Sequence, residues 1–172
     1  ETFLYYTSNA TSGYNYGAEI QQRFAISDHL TISGAAGYLL TWVDSYEYKS
    51  NDSTSVILGE RGQAHAPSYT YSLSSDYITP IGVRINLEYL GKDWFYFSDS
   101  HNKPSNSYEL INMSLHYKIK STRISLWGKN LMDTRYMVRG FYFGLEPPSF
   151  RDKLYVQWGD PREYGLTIQF DF

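Results

Sequence analysis

The chain has 172 residues with 15 Lys and Arg against 18 Asp and Glu, a formal net charge of −3, which argues against a general nucleic-acid binder with its basic stripe. It has no cysteine, so neither a disulfide framework nor a thiolate metal centre is available, and no run reaches the roughly 18 apolar residues of a membrane helix. Eighteen tyrosines, nine phenylalanines and four tryptophans at a mean hydropathy of −0.46 favour strands, and suit either the aromatic girdles of a transmembrane barrel or a Tyr-rich soluble sandwich.

In chain order, Glu1 to Tyr6 reads as the tail of a strand without the basic and apolar regions of a leader, as expected of a processed chain or a piece of a longer one. Seven segments then alternate between apolar and polar side chains, the two-residue period of a strand with unlike faces. Tyr16 to Ile26 sets Ala18, Ile20, Phe24 and Ile26 against Glu19, Gln21 and Arg23, and after Ser27-Asp28-His29 the second runs from Leu30 to Trp42. The third, Pro67 to Ile78, sets Tyr69, Tyr71, Leu73 and Tyr77 against Thr70, Ser72, Ser74 and Asp76; past Thr79-Pro80-Ile81-Gly82, the fourth sets Val83, Ile85, Leu87 and Tyr89 against Arg84, Asn86 and Glu88. The fifth sets Ile111, Met113, Leu115, Tyr117 and Ile119 against Asn112, Ser114, His116, Lys118 and Lys120. Ser121-Thr122 links it to the sixth, Arg123 to about Asn130, and the seventh is Tyr164 to Phe172.

Short links near residues 27–29, 79–82 and 120–122 alternate with long ones near 43–65, 98–106 and 134–160. That is the asymmetry of an outer-membrane barrel, short turns on one side and long loops on the other. The charges Arg23, Arg84, Glu88, His116 and Lys118 gather on one face, expected to line a water-filled lumen, while the opposite face is nearly uncharged, as lipid requires. Seven strands and a stub barely make an eight-stranded barrel, so a fragment of a larger barrel is the more economical expectation.

At Ile124 to Tyr136 the core Asn130-Leu131-x-Asp133-x-x-Tyr136 resembles the penultimate-strand motif of TonB-dependent outer-membrane receptors. Tyr16-Gly17-Ala18-Glu19, Ala66-Pro67-x-Tyr69, Arg139 to Pro148 and Gly159 to Gly165 resemble further features of that family in order, so the resemblance covers essentially the whole chain. It implies an all-β antiparallel meander of about seven or eight transmembrane strands, the C-terminal third of a barrel of about 22, with residues 1–172 lacking the plug domain and TonB box. The implied function is energised import of a scarce nutrient, a ferric siderophore first among haem, cobalamin and sugars, in the outer membrane of a Gram-negative bacterium. The implied partners are the remaining barrel and plug, the TonB complex through the plug, outer-membrane lipid and lipopolysaccharide, the barrel assembly machinery and a small ferric chelate. No nucleic acid, resident cofactor or metal is expected. Phe172 resembles the terminal signal read by the assembly machinery.

Among loop residues, Tyr46, Tyr48, Trp94, Tyr96, Tyr142 and Phe143 are candidates to stack on a siderophore or sugar, or to anchor in the interfacial girdle. Arg139 and Arg151, with Arg135, offer planar charge to an anionic complex, or pair with loop acids or lipopolysaccharide phosphates. Asp44, Glu47, Asp93 and Asp99 read as solvated loop carboxylates, and His101 as a weak candidate for haem. His116 beside Ser114 has no third orienting group for a catalytic triad, so no enzyme is expected. Two other readings stay open: a small autonomous barrel acting in binding or adhesion, and a soluble β-sandwich binding module.

Overall fold

The computed structural model describes residues 12–51, 54–151 and 153–171. The strand tail expected at Glu1 to Tyr6, and Phe172, lie outside them. The strands are β1 (Gly13–Ser27), β2 (Leu30–Val43), β3 (Tyr46–Asn51), β4 (Thr54–Leu58), β5 (Tyr69–Ile78), β6 (Arg84–Lys92), β7 (Tyr96–Ser98), β8 (His101–Pro104), β9 (Tyr108–Ile119), β10 (Thr122–Lys129), β11 (Met137–Phe143), β12 (Lys153–Trp158) and β13 (Glu163–Phe170). Seven of them form one sheet in the order β1-β2-β5-β6-β9-β10-β13, and every neighbouring pair is antiparallel. These are the seven alternating segments of the sequence.

The short links have local causes. Ser27 Oγ accepts from the amides of His29 and Leu30 at 3.2 and 3.1 Å, closing the β1–β2 turn as short polar side chains do. Thr79 Oγ1 accepts from Val83 N at 3.0 Å, and Gly82 sits at φ +80. Lys120 takes φ +53 in the two-residue β9–β10 link, the positive value that tight hairpin turns require.

The three long connections lie at the other end of the sheet. Each folds into a hairpin of its own, β3–β4, β7–β8 and β11–β12, where the sequence suggested only loop. β7 and β8, of three and four residues, are too brief for a periodicity to stand out, and the other four run only five to seven.

Register keeps the two faces of the sheet separate. Across the apolar face Leu73 opposes Tyr89 and Tyr89 opposes Ile111, while Ile85, Leu115, Leu126 and Leu166 form a continuous row. Across the polar face Arg23, Ser33, Ser74, Glu88 and Asn112 form one row, and Arg84, His116, Ser125 and Thr167 another. The apolar face is open: Phe24 is 56 % exposed and Leu166 59 %. A sandwich would cover it with a second sheet, but among the described residues the other strands form ladders only as the three loop hairpins. Among the described residues the sheet does not close either, since β1 pairs only with β2 and β13 only with β10.

Among the described residues the buried apolar side chains are Val43, Leu58, Phe95, Phe97 and Leu110. All lie in the long loops or at the strand ends that meet them, so the packed interior is a layer capping one end of the sheet. Within the sheet, close packing shows at Gly165, where an added Cβ would fall 2.1 Å from the Trp127 ring. Only glycine lets that indole lie flat across β13.

Candidate functional site

The loop layer is built on the second long loop, residues 93–107. In the run Trp94-Phe95-Tyr96-Phe97 alternate side chains turn inward: Phe95 and Phe97 are 2 % and 3 % exposed and meet edge to face at 5.9 Å. Phe97 lies over Gly140 of β11, where a Cβ would stand 2.5 Å from the ring, so the third loop docks on the second through a glycine. Phe95 faces the His65 ring at 5.3 Å and the Lys92 ammonium at 4.3 Å. Trp94 remains 44 % exposed and meets Tyr96 edge on.

Arg61, from the first long loop, is the buried cation of this layer. It donates to the carbonyls of Gly62 at 3.1 Å, Ser98 at 2.8 Å and His101 at 3.4 Å, and its guanidinium lies 4.2 Å from the centre of the Tyr96 ring. Three carbonyl dipoles and a π face replace part of the water that a buried charge loses. Tyr46 donates to the Asp99 carbonyl and His65 N to the Tyr96 carbonyl, so the first and second loops are cross-tied. His101 meets Tyr142 of β11 edge to face at 4.9 Å. Burial holds the His101 pKa below its ordinary value, and the charges of Arg61 and Lys103 push the same way.

The third loop carries the open aromatic surface. Phe141 stacks on Tyr155 at 5.8 Å and Phe143 meets its edge at 6.4 Å, with Phe141, Tyr142 and Phe143 all exposed. Tyr155 donates to Glu146, which pulls that carboxyl down and pushes the phenol up; Lys153, 3.2 Å from Glu146, adds to the first effect. Arg139 pairs in the ladder with Gln157, and Arg139 and Arg151 are exposed. Arg135 covers the Trp158 ring at 4.2 Å.

The loop candidates thus fall into two groups. Tyr46 and Tyr96 are built into the junction of first and second loops, with Tyr142 leaning on it, whereas Trp94, Phe143, Arg139 and Arg151 face outward. Tyr48 lies in β3 opposite Val56. Arg61 was not singled out in the sequence: between Glu60 and Gly62 it reads as an ordinary loop charge.

On the polar face of the sheet, Arg23, Arg84, Glu88, His116 and Lys118 share one side. Arg84 pairs with Asp76 at 3.3 Å and Lys118 with Asp171 at 3.6 Å. Both ring nitrogens of His116 are taken by hydroxyls, Nε2 by Ser114 at 2.9 Å and Nδ1 by Ser125 at 2.8 Å, so no carboxylate orients that ring. Among the described residues no group of three His, Asp or Glu is placed to hold a metal.

Glu88 accepts from Asn112 at 2.8 Å, and the Asn112 amide oxygen accepts from Asn130 N at 2.9 Å. Asn130, 3 % exposed, turns the chain out of β10 at φ +47. Its amide donates to the carbonyls of Thr134 and Asp160 at 2.9 and 3.0 Å, and its oxygen accepts from Thr134 N at 2.9 Å. Asp133, at φ +55, accepts from Arg162 N at 3.1 Å. The Asn130-Leu131-x-Asp133 motif is therefore a knot that fastens both ends of the third loop to the sheet.

No protein-family model matches the chain. Solved structures share its fold. The ferric yersiniabactin uptake receptor FyuA from Yersinia pestis matches at 19 % identity with a TM-score of 0.76 over 95 % of this chain and 24 % of that one. The siderophore receptor PiuA from Acinetobacter baumannii matches at 17 % identity and 0.74, over 92 % of this chain and 22 % of its own. The ferric-catecholate import receptor Fiu from E. coli K12 matches at 15 % and 0.51, over 93 % and 28 %. The resemblance to TonB-dependent receptors drawn from the sequence motifs holds at the level of fold, and the chain spans about a quarter of the length of these receptors.

Proposed function

We propose that the chain forms wall strands and external loops, the C-terminal segment, of an outer-membrane receptor that imports a ferric siderophore. The observation that carries this reading is the seven-stranded meander with one continuous open apolar face and all three long loops at one end. Lipid accounts for such a face, and each loop hairpin is then external. The fold shared with three siderophore receptors supports the substrate class.

In this reading Arg23, Arg84, Glu88, His116 and Lys118 line the passage, and the free edges of β1 and β13 join wall strands supplied by the rest of the receptor. The plug and its TonB contact belong to that remainder, and Phe172 is read by the assembly machinery. Capture falls to the outward residues Trp94, Phe143, Arg139 and Arg151, with Tyr46, Tyr96 and Tyr142 shaping the surface beneath; the same arginines serve lipopolysaccharide phosphates at the rim. The chain binds and conducts, and performs no bond chemistry.

The test is binding and uptake by the full-length receptor. A panel of hydroxamate, catecholate and mixed ferric chelates is titrated against tryptophan fluorescence, and TonB-dependent uptake of radioactive iron is measured in iron-starved cells. Replacing Trp94, Phe143 and Arg139 together by alanine should weaken binding of one chelate class by at least about tenfold, the scale of one or two lost aromatic or charged contacts. Unchanged binding of every chelate in that variant, or uptake indifferent to TonB, would sink the proposal.

A further inference from the structure

His101 sits where the three long loops meet, and its surroundings suit only the neutral ring. Nδ1 accepts from Lys103 N at 3.3 Å, which leaves the ring proton on Nε2, and Nε2 is buried with no partner among the described residues. The charges facing it are cationic: Arg61 from the first loop, whose Nη2 already holds the His101 carbonyl at 3.4 Å, and Lys103 from its own hairpin. From the third loop it meets the Tyr142 ring at 4.9 Å. No ion pair to His101 or Arg61 forms among the described residues.

We propose that His101 is a pH-sensitive latch: when neutral it clamps the β7–β8 hairpin to Arg61 and Tyr142, and when protonated it releases the hairpin tip from both. A second proton must go to Nδ1. It removes the acceptor for Lys103 N and sets an imidazolium beside a guanidinium that is itself buried and shielded only by carbonyls and the Tyr96 ring. Moving the hairpin outward relieves both effects, because it returns His101 to water and separates it from Arg61.

The sign follows from linkage. The latched ring resists protonation, so the open form binds more protons and opening grows as pH falls below the ordinary histidine value of 6.5. One pH unit below that value the open population rises by at most about tenfold, since the open ring is then about 90 % protonated. The latch concerns the loops alone and stands whether or not the cargo is a ferric chelate.

The experiment is hydrogen exchange of the full-length receptor in detergent at pH 7.5 and 5.5, with rates corrected for intrinsic chemistry. Peptides covering residues 96–104 and 137–143 should exchange up to about tenfold faster at pH 5.5, while the wall peptide 111–117 stays unchanged. His101→Gln, neutral at both pH values, should lose the acid response. Lys103→Met keeps the histidine but removes one facing cation, and should shrink the response; it decides the matter if His101→Gln is already open at pH 7.5. Equal protection of the wild type at both pH values, or a full response in Lys103→Met, would overturn the latch.

Discussion

Asn130→Ala should be among the costliest single substitutions near the rim of the wall. The asparagine side chain makes three hydrogen bonds, two donated to the Thr134 and Asp160 carbonyls and one accepted from Thr134 N, in a site 3 % exposed. At about 1 kcal/mol net for each, their loss costs about 3 kcal/mol. Alanine must also take the φ of +47 that asparagine tolerates, which adds about 1 kcal/mol. Glycine has no such penalty, so Asn130→Gly should cost about 3 kcal/mol against about 4 for alanine. Equilibrium urea unfolding of the protein in detergent, followed by tryptophan fluorescence, measures both. Asn130→Ala within about 1 kcal/mol of wild type would show that the knot is not holding the loop. Glycine as costly as alanine would show that the backbone conformation contributes nothing.

Leu73→Arg and Ser74→Arg place the same side chain on opposite faces one residue apart; the first should cost about 2–4 kcal/mol on folding into lipid vesicles and the second close to nothing, and equal costs would contradict the facing assigned to the sheet. Gly165→Val drives a side chain into the Trp127 ring and should lower stability by about 1–3 kcal/mol, a loss that the added change Trp127→Ala should partly reverse in the same unfolding assay. The Glu146 carboxyl is held below its ordinary 4.5 by Tyr155 and then Lys153, so its contribution to the β11–β12 hairpin is present above that value and fades as pH falls through the depressed one. Exchange protection of β11 and β12 should therefore drop between pH 6 and pH 3.5 in the wild type and change less in Glu146→Gln.

The seven-stranded sheet was legible in the sequence because apolar and polar side chains alternate over long runs, as at Ile111 to Lys120, the contrast that lipid on one face and water on the other would impose. The loop layer was not, because it is packed like a small soluble core in which three separated segments contribute a few side chains each. Within Trp94-Phe95-Tyr96-Phe97 the sequence drew attention to Trp94 and Tyr96. The alternation that sets those two apart is the same one that buries Phe95 and Phe97, and of the two only Trp94 is exposed, Tyr96 lying under the Arg61 guanidinium. Arg61 gives no local sign, since its partners are backbone carbonyls, two of them 37 and 40 residues away, that any residue type supplies. The Asn130 motif was recognisable by resemblance, but its reason, three side-chain bonds at a positive φ, appears only when Thr134 and Asp160 come together.

The two margins of the wall differ in reach, with fifteen residues in β1 and eight in β13. An antiparallel margin offers its outward N–H and C=O groups at alternate residues, so a strand laid along β1 finds about twice the purchase of one laid along β13. A denaturant or a mechanical load that pries at both seams should therefore part the sheet from its neighbours first beside Glu163–Phe170, and the margin along Gly13–Ser27 should be the last to let go.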